Sequence, residues 1–78
     1  MPPECQLFTT LGCHLCELAG EEIMPLVEHG LLVERVDIAD SEALFEVYGL
    51  RIPVLRRVDT GAELGWPFDT EQVVSFLL

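Results

Sequence analysis

The 78-residue sequence sets fourteen acidic residues against four basic ones, all arginine, for a formal net charge of −10. A field of that sign repels nucleic acid and anionic membrane, and the absence of lysine removes Schiff-base chemistry and the phosphate-binding P-loop, both of which need an amine. Half of the residues are hydrophobic and fall in short blocks broken by Gly, Pro and acids, so residues 1–78 read as a single packed α/β domain, too short to divide into two cores.

Met1-Pro2-Pro3-Glu4 has no positive n-region, no apolar h-region follows it, and the longest apolar runs fall far short of the ~20 residues of a membrane span. The expected location is the cytoplasm. Cys5-Gln6-Leu7-Phe8-Thr9-Thr10 alternates and is rich in β-formers, and Leu11-Gly12 breaks it, which predicts a short strand ending in a turn at Cys13. From His14 the residues Leu15, Leu18, Ala19, Ile23, Leu26 and Val27 recur at helical spacing, with Glu17, Glu21, Glu22 and Glu28 on the polar face. Pro25 is expected to kink this helix, and His29-Gly30 to close it. His29 there complements the helix dipole.

Residues Leu31 to Ile38 read as an inner strand parallel to the first, completing a right-handed β-α-β unit. Asp40 or Ser41 caps a short second helix with Ala43, Leu44, Val47 and Tyr48 apolar and Gly49 as its stop. Val54 to Val58 and Ala62 to Trp66, joined through Asp59-Thr60-Gly61, form an antiparallel hairpin. Asp69-Thr70-Glu71-Gln72 fits a capping box opening a last helix, with Val73, Val74, Phe76 and Leu77 inward. The order β-α-β-α-β-β-α gives a mixed four-stranded sheet with helices on its faces, the minimal thioredoxin-like arrangement.

Cys13-His14-Leu15-Cys16 lies at the junction of the first strand and first helix. Unpartnered N–H groups and the positive dipole end favour a thiolate at Cys13, so its pKa is expected below the free value of roughly 8.5. Cys16, one turn further in and within disulfide reach, is expected to resolve the mixed disulfide that Cys13 forms. Protonated His14 would add positive charge and tune the pair. Leu15 is apolar surface or core. A structural zinc site needs a second closely spaced ligand pair, and only Cys5, His14 and His29 remain, so no metal is expected. Cys5 reads as a small buried hydrophobe.

Phe8 through Cys16, Val36-Asp37-Ile38 and Tyr48 through Val54, in that order and spacing over nearly the whole chain, resemble the glutaredoxin-like proteins, in particular a short bacterial glutaredoxin-like group. The resemblance implies a thioredoxin-like (glutaredoxin-like) three-layer α/β fold and a thiol–disulfide oxidoreductase that reduces protein disulfides or glutathione mixed disulfides. It further implies a cis Pro53 facing the cysteines, with the backbone of Ile52 free to pair with an extended substrate. The family's Cys-Pro-Tyr-Cys is replaced here by Cys13-His14-Leu15-Cys16, and Trp66 stands where its second glycine belongs. Arg51 is the nearest cation for a glutathione carboxylate, or else a surface ion-pair partner. No cofactor is expected to remain bound, with glutathione as a co-substrate. A monomer is expected, with a disulfide-bearing protein or glutathione as substrate and a reductase or glutathione as electron donor. The rival reading is a docking module whose cysteines merely record redox state.

Overall fold

In the computed structural model, which describes residues 3–78, the chain runs β1 (Cys5–Thr9), α1 (His14–Glu28), β2 (Val33–Asp37), a 3₁₀ turn (Ile38–Asp40), α2 (Glu42–Tyr48), β3 (Val54–Arg57), β4 (Glu63–Gly65) and α3 (Thr70–Leu77). Met1 and Pro2, where the segment read as lacking a leader begins, lie outside the described residues. The sheet order is β2-β1-β3-β4, with β1 and β2 parallel and the other two pairings antiparallel. This is the mixed four-stranded, thioredoxin-like α/β sheet that the element order implied. Among the described residues no helix is long and apolar enough to cross a membrane.

Strand alternation sorts the core into two sets. Leu7 pairs with Leu55 and Phe8 with Val54 across β1 and β3, so each face of this central pair carries a matched apolar couple. On one face Cys5, Leu7 and Leu55 join Ala19 and Ile23 of α1, Leu31, Phe68 and Val73 of α3. On the other, Phe8 and Val54 meet Ile38 and Tyr48, and the rings of Phe8 and Tyr48 stack with centroids 4.2 Å apart. The sheet is therefore covered on both sides, by α1 and α3 on one and α2 on the other, which fixes the end of β1 rigidly between two cores.

Several local expectations are corrected. β2 is parallel to β1 but lies at the edge of the sheet; its Glu34 and Arg35 are exposed, as suits a strand with one neighbour. It is also shorter than Leu31 to Ile38, whose two end residues are buried outside the strand. Pro25 is not among these corrections: it stands exposed inside α1, which runs on past it to Glu28. Its missing N–H leaves the Glu21 carbonyl unpaired where that residue, also exposed, meets solvent. Val27 is exposed on α1, as are Ala43 and Val47 on α2, where Leu44 and Tyr48 alone point inward, and of the two places open to Leu15 it takes the surface. Val74 of α3 is exposed too, whereas Val73, Phe76 and Leu77 join the core. In each case the apolar stripe is narrower than the count of apolar residues suggested.

Candidate redox site

The site grows out of the turn after β1. Gly12 takes φ +76 there, a left-handed value that costs other residues roughly 1–2 kcal/mol, and so lets the chain swing directly into α1. Cys13 follows in extended backbone as the N-cap of that helix. Its Sγ accepts the N–H of Cys16 at 3.2 Å and its carbonyl accepts the N–H of Glu17 at 3.2 Å. Sulfur thus occupies the place that a Ser or Asp oxygen takes in ordinary caps, where helix N–H dipoles favour negative charge.

Cys13 and Cys16 are joined as a disulfide with Cα atoms 5.2 Å apart. Cys13 is half-buried, while Cys16 is 3% exposed. Cys13 is therefore the more accessible of the two. Leu11, 91% exposed, and Leu15, 46% exposed, form an apolar rim around it. His14 is exposed beside them, its Nδ1 3.8 Å from Glu17 Oε2.

Pro53 approaches from the β3 side. One step beyond the Phe8 and Val54 pairing, it stands fully buried at the level of Thr9, at the same end of the sheet as the cysteines. The Ile52–Pro53 peptide is cis, and so is Trp66–Pro67, which the sequence reading did not anticipate. Trp66 donates its N–H to the Pro53 carbonyl at 3.2 Å. The N–H of Ile52 is not free: it donates to the Tyr48 carbonyl at 3.0 Å, while its own carbonyl accepts no hydrogen bond among the described residues.

Arg51 is held as an ion-pair partner. Its Nη2 lies 2.7 Å from Glu63 Oε1, and its guanidinium carbon sits 5.2 Å from the Tyr48 ring centroid. Tyr48 donates its hydroxyl to the other oxygen of Glu63. Those two donors, the tyrosine hydroxyl above all, hold the Glu63 carboxyl below the usual carboxylate range, while burial and the bond to Glu63 push the Tyr48 hydroxyl up. The phenol and the carboxylate thus lock α2 to β4 beneath the Ile52-Pro53 shoulder.

On the opposite side, between α1 and edge strand β2, a cleft of about 290 Å³ is lined by Thr9, Thr10, Cys13, Cys16, Glu17, Arg35 and Asp37 among others. The sequence reading assigned no role to Arg35 or Glu17. The available signal was the parallel register: Leu7 opposite Arg35 and Thr9 opposite Asp37 put both β2 residues on the face that α1 covers. The remaining zinc candidates stand elsewhere. Cys5 opens β1 and His29 ends α1, a helix of 15 residues spanning about 22 Å, so both lie at the far end from Cys13. Burial pushes the Cys5 thiol up, in keeping with a core role.

Residues 4–78, which hold the whole of this arrangement, match the family model described as Glutaredoxin-like domain (DUF836). The X-ray structure of target protein XcR50 from X. campestris is similar with a TM-score of 0.83 and 38% identity, over 94% of this chain and 93% of that one. Its solution structure aligns with a TM-score of 0.78 and 39% identity, over 99% and 92% of the two chains. The solution structure of Ne2328 from Nitrosomonas europaea has a TM-score of 0.83 at 28% identity, covering 100% of this chain and 94% of that one. Among curated proteins none matches the chain.

Proposed function

Since the chain belongs to the glutaredoxin-like domain family, we propose that it is a thiol–disulfide oxidoreductase in which Cys13 attacks and Cys16 resolves. The observation that carries this reading is the asymmetry of the pair: Cys13 caps α1 through its sulfur and is only half-buried, while Cys16 is buried one turn below.

In the proposed cycle the Cys13 thiolate attacks one sulfur of a substrate disulfide. The substrate S–S bond breaks, and the departing half leaves as a thiolate that takes a proton from water. Cys16 loses its proton to solvent and as thiolate attacks the Cys13 sulfur, forming the Cys13–Cys16 bond and expelling the second half as a thiolate that is protonated in turn. The dithiol gives up two electrons and the substrate disulfide becomes two thiols. Glutathione or a reductase restores the dithiol. Protein disulfides and glutathione mixed disulfides both suit an open site with an apolar rim at Leu11 and Leu15 and an unpaired acceptor at the Ile52 carbonyl. The carbonyl supplies one hydrogen bond of a strand-like pairing with an extended substrate.

Turnover of insulin or hydroxyethyl disulfide with glutathione and its reductase tests this reading. The wild-type protein reduces the substrate, Cys13→Ser abolishes reduction, and Cys16→Ser accumulates a mixed disulfide on Cys13 detectable by mass. Equal activity of Cys13→Ser and wild type, or no turnover at all, would leave a docking module that records redox state.

A further inference from the structure

Arg35 is the cation that this site leaves without a partner. Among the described residues Arg51 pairs with Glu63, Arg57 pairs with Asp59 and donates to the Phe76 carbonyl, and Arg56 donates to Gln6. Among the described residues Arg35 makes neither a side-chain hydrogen bond nor an ion pair, although the chain carries fourteen acidic residues. It lines the cleft beside Cys13 and Cys16.

Its place there is defined by α1. A Cβ built on Gly20 would come within 2.6 Å of an Arg35 terminal nitrogen, so the guanidinium lies directly across that helix position. Gly20 follows Cys16 by four residues, one turn along the same face, at a Cβ separation of about 5–6 Å. Glycine inside a helix is unfavourable relative to alanine. The helix is thus weakened at the one turn where the arginine crosses it beneath the resolving cysteine.

The cleft also contains Glu17 and Asp37. Asp37 uses Oδ1 to accept the Ala39 N–H at 2.9 Å, which leaves its other oxygen available, and Glu17 has only exposed His14 at 3.8 Å. One guanidinium beside two carboxylates disfavours a ligand that is only anionic, and matches one that brings an ammonium together with a carboxylate. At about 290 Å³ the cleft lies at the small end of ligand sites, which run from roughly 300 to 1,000 Å³.

Building on the oxidoreductase reading, we propose that this cleft receives the zwitterionic end of a small amino-acid disulfide. Arg35 takes its carboxylate, Asp37 and Glu17 take its ammonium, and the disulfide is presented to Cys13. The subsite lies across β1 from the Ile52-Pro53 shoulder, so the two flanks of the cysteines recognise different parts of a substrate.

Single-turnover oxidation of the reduced protein tests this without any reductase. Reductant-free protein is mixed with cystine, with 3,3′-dithiodipropionate, which lacks the amines, or with neutral hydroxyethyl disulfide, and quenched with an alkylating agent. Rate constants are normalised to the reaction of each disulfide with free dithiothreitol. The normalised rate is expected to be highest for cystine. Arg35→Gln lowers the ratio of cystine to hydroxyethyl disulfide about tenfold, as loss of a charge-assisted hydrogen bond implies. Gly20→Ala, whose methyl displaces the guanidinium while keeping its charge, moves the ratio the same way. A ratio unchanged in both variants, or dithiodipropionate matching cystine, overturns the assignment while leaving the oxidoreductase reading intact. No oxidation by any of the disulfides overturns both.

Discussion

The two cysteines are chemically the same residue, and the proposed cycle assigns them different tasks because their surroundings differ. Cys13 occupies a cap, with a helix N–H on its sulfur, whereas Cys16 is enclosed by the core. A second division of labour sits beneath the shoulder, where Tyr48 and Arg51 both donate to Glu63. Tyr48→Phe keeps the ring stack on Phe8 but removes the phenol donor, and is expected to cost about 1 kcal/mol in urea unfolding at neutral pH. The pH dependence has a definite sign. Because the Glu63 carboxyl is held low in the folded protein, its contribution is complete above the unfolded value of about 4.3 and is lost as pH falls through the lower folded value. The gap between variant and wild type therefore closes below about pH 4. A gap that persists undiminished there would place the effect in packing of the ring, not in the carboxylate.

Among the elements, α3 depends most visibly on a local signal. Asp69 accepts the Gln72 N–H at 2.8 Å and Gln72 returns a bond to the Asp69 N–H at 2.9 Å, while Thr70 donates its hydroxyl to the Glu22 carbonyl at 2.7 Å. Asp69→Ala is expected to lower stability by about 1 kcal/mol, read from the denaturant midpoint, and to loosen α3 against α1. An unchanged midpoint would mean that core contacts of Val73 alone hold the helix. The cap, the β1-turn-α1 junction and the cysteine pair were legible in the sequence because each is written in residues within a few positions of one another. The position of β2 was not, since strand order depends on which neighbour a strand meets and not on its own alternation. Arg35 was missed for a different reason: the expected parallel pairing offered a signal, but its nearness to Cys16 needs the residue-by-residue register that sets Leu7 opposite Arg35. Arg51 was noticed but its partner was not, because Glu63 reaches it only when the β3–β4 hairpin is closed. The narrow inward faces of α2 and α3 likewise depend on what covers them, which periodicity alone leaves open.

For the molecule as a whole the charge of −10 sets a long-range barrier to anionic partners, against which a single unpaired arginine acts only locally. Oxidation of the reduced protein by glutathione disulfide, a net anion, is expected to accelerate by roughly two- to threefold as salt is raised, because screening shortens the repulsion. The rate with hydroxyethyl disulfide has no such dependence. Equal salt responses for the two would show that the acidic surface does not govern approach.

Whether Cys13 and Cys16 form a working redox couple is read by equilibrating the protein in graded glutathione or dithiothreitol buffers. Alkylation and mass then count free thiols at each potential. One two-electron transition is expected, between about −180 and −270 mV, that converts the Cys13–Cys16 disulfide to two alkylated thiols. Two thiols that stay free in every buffer would contradict it.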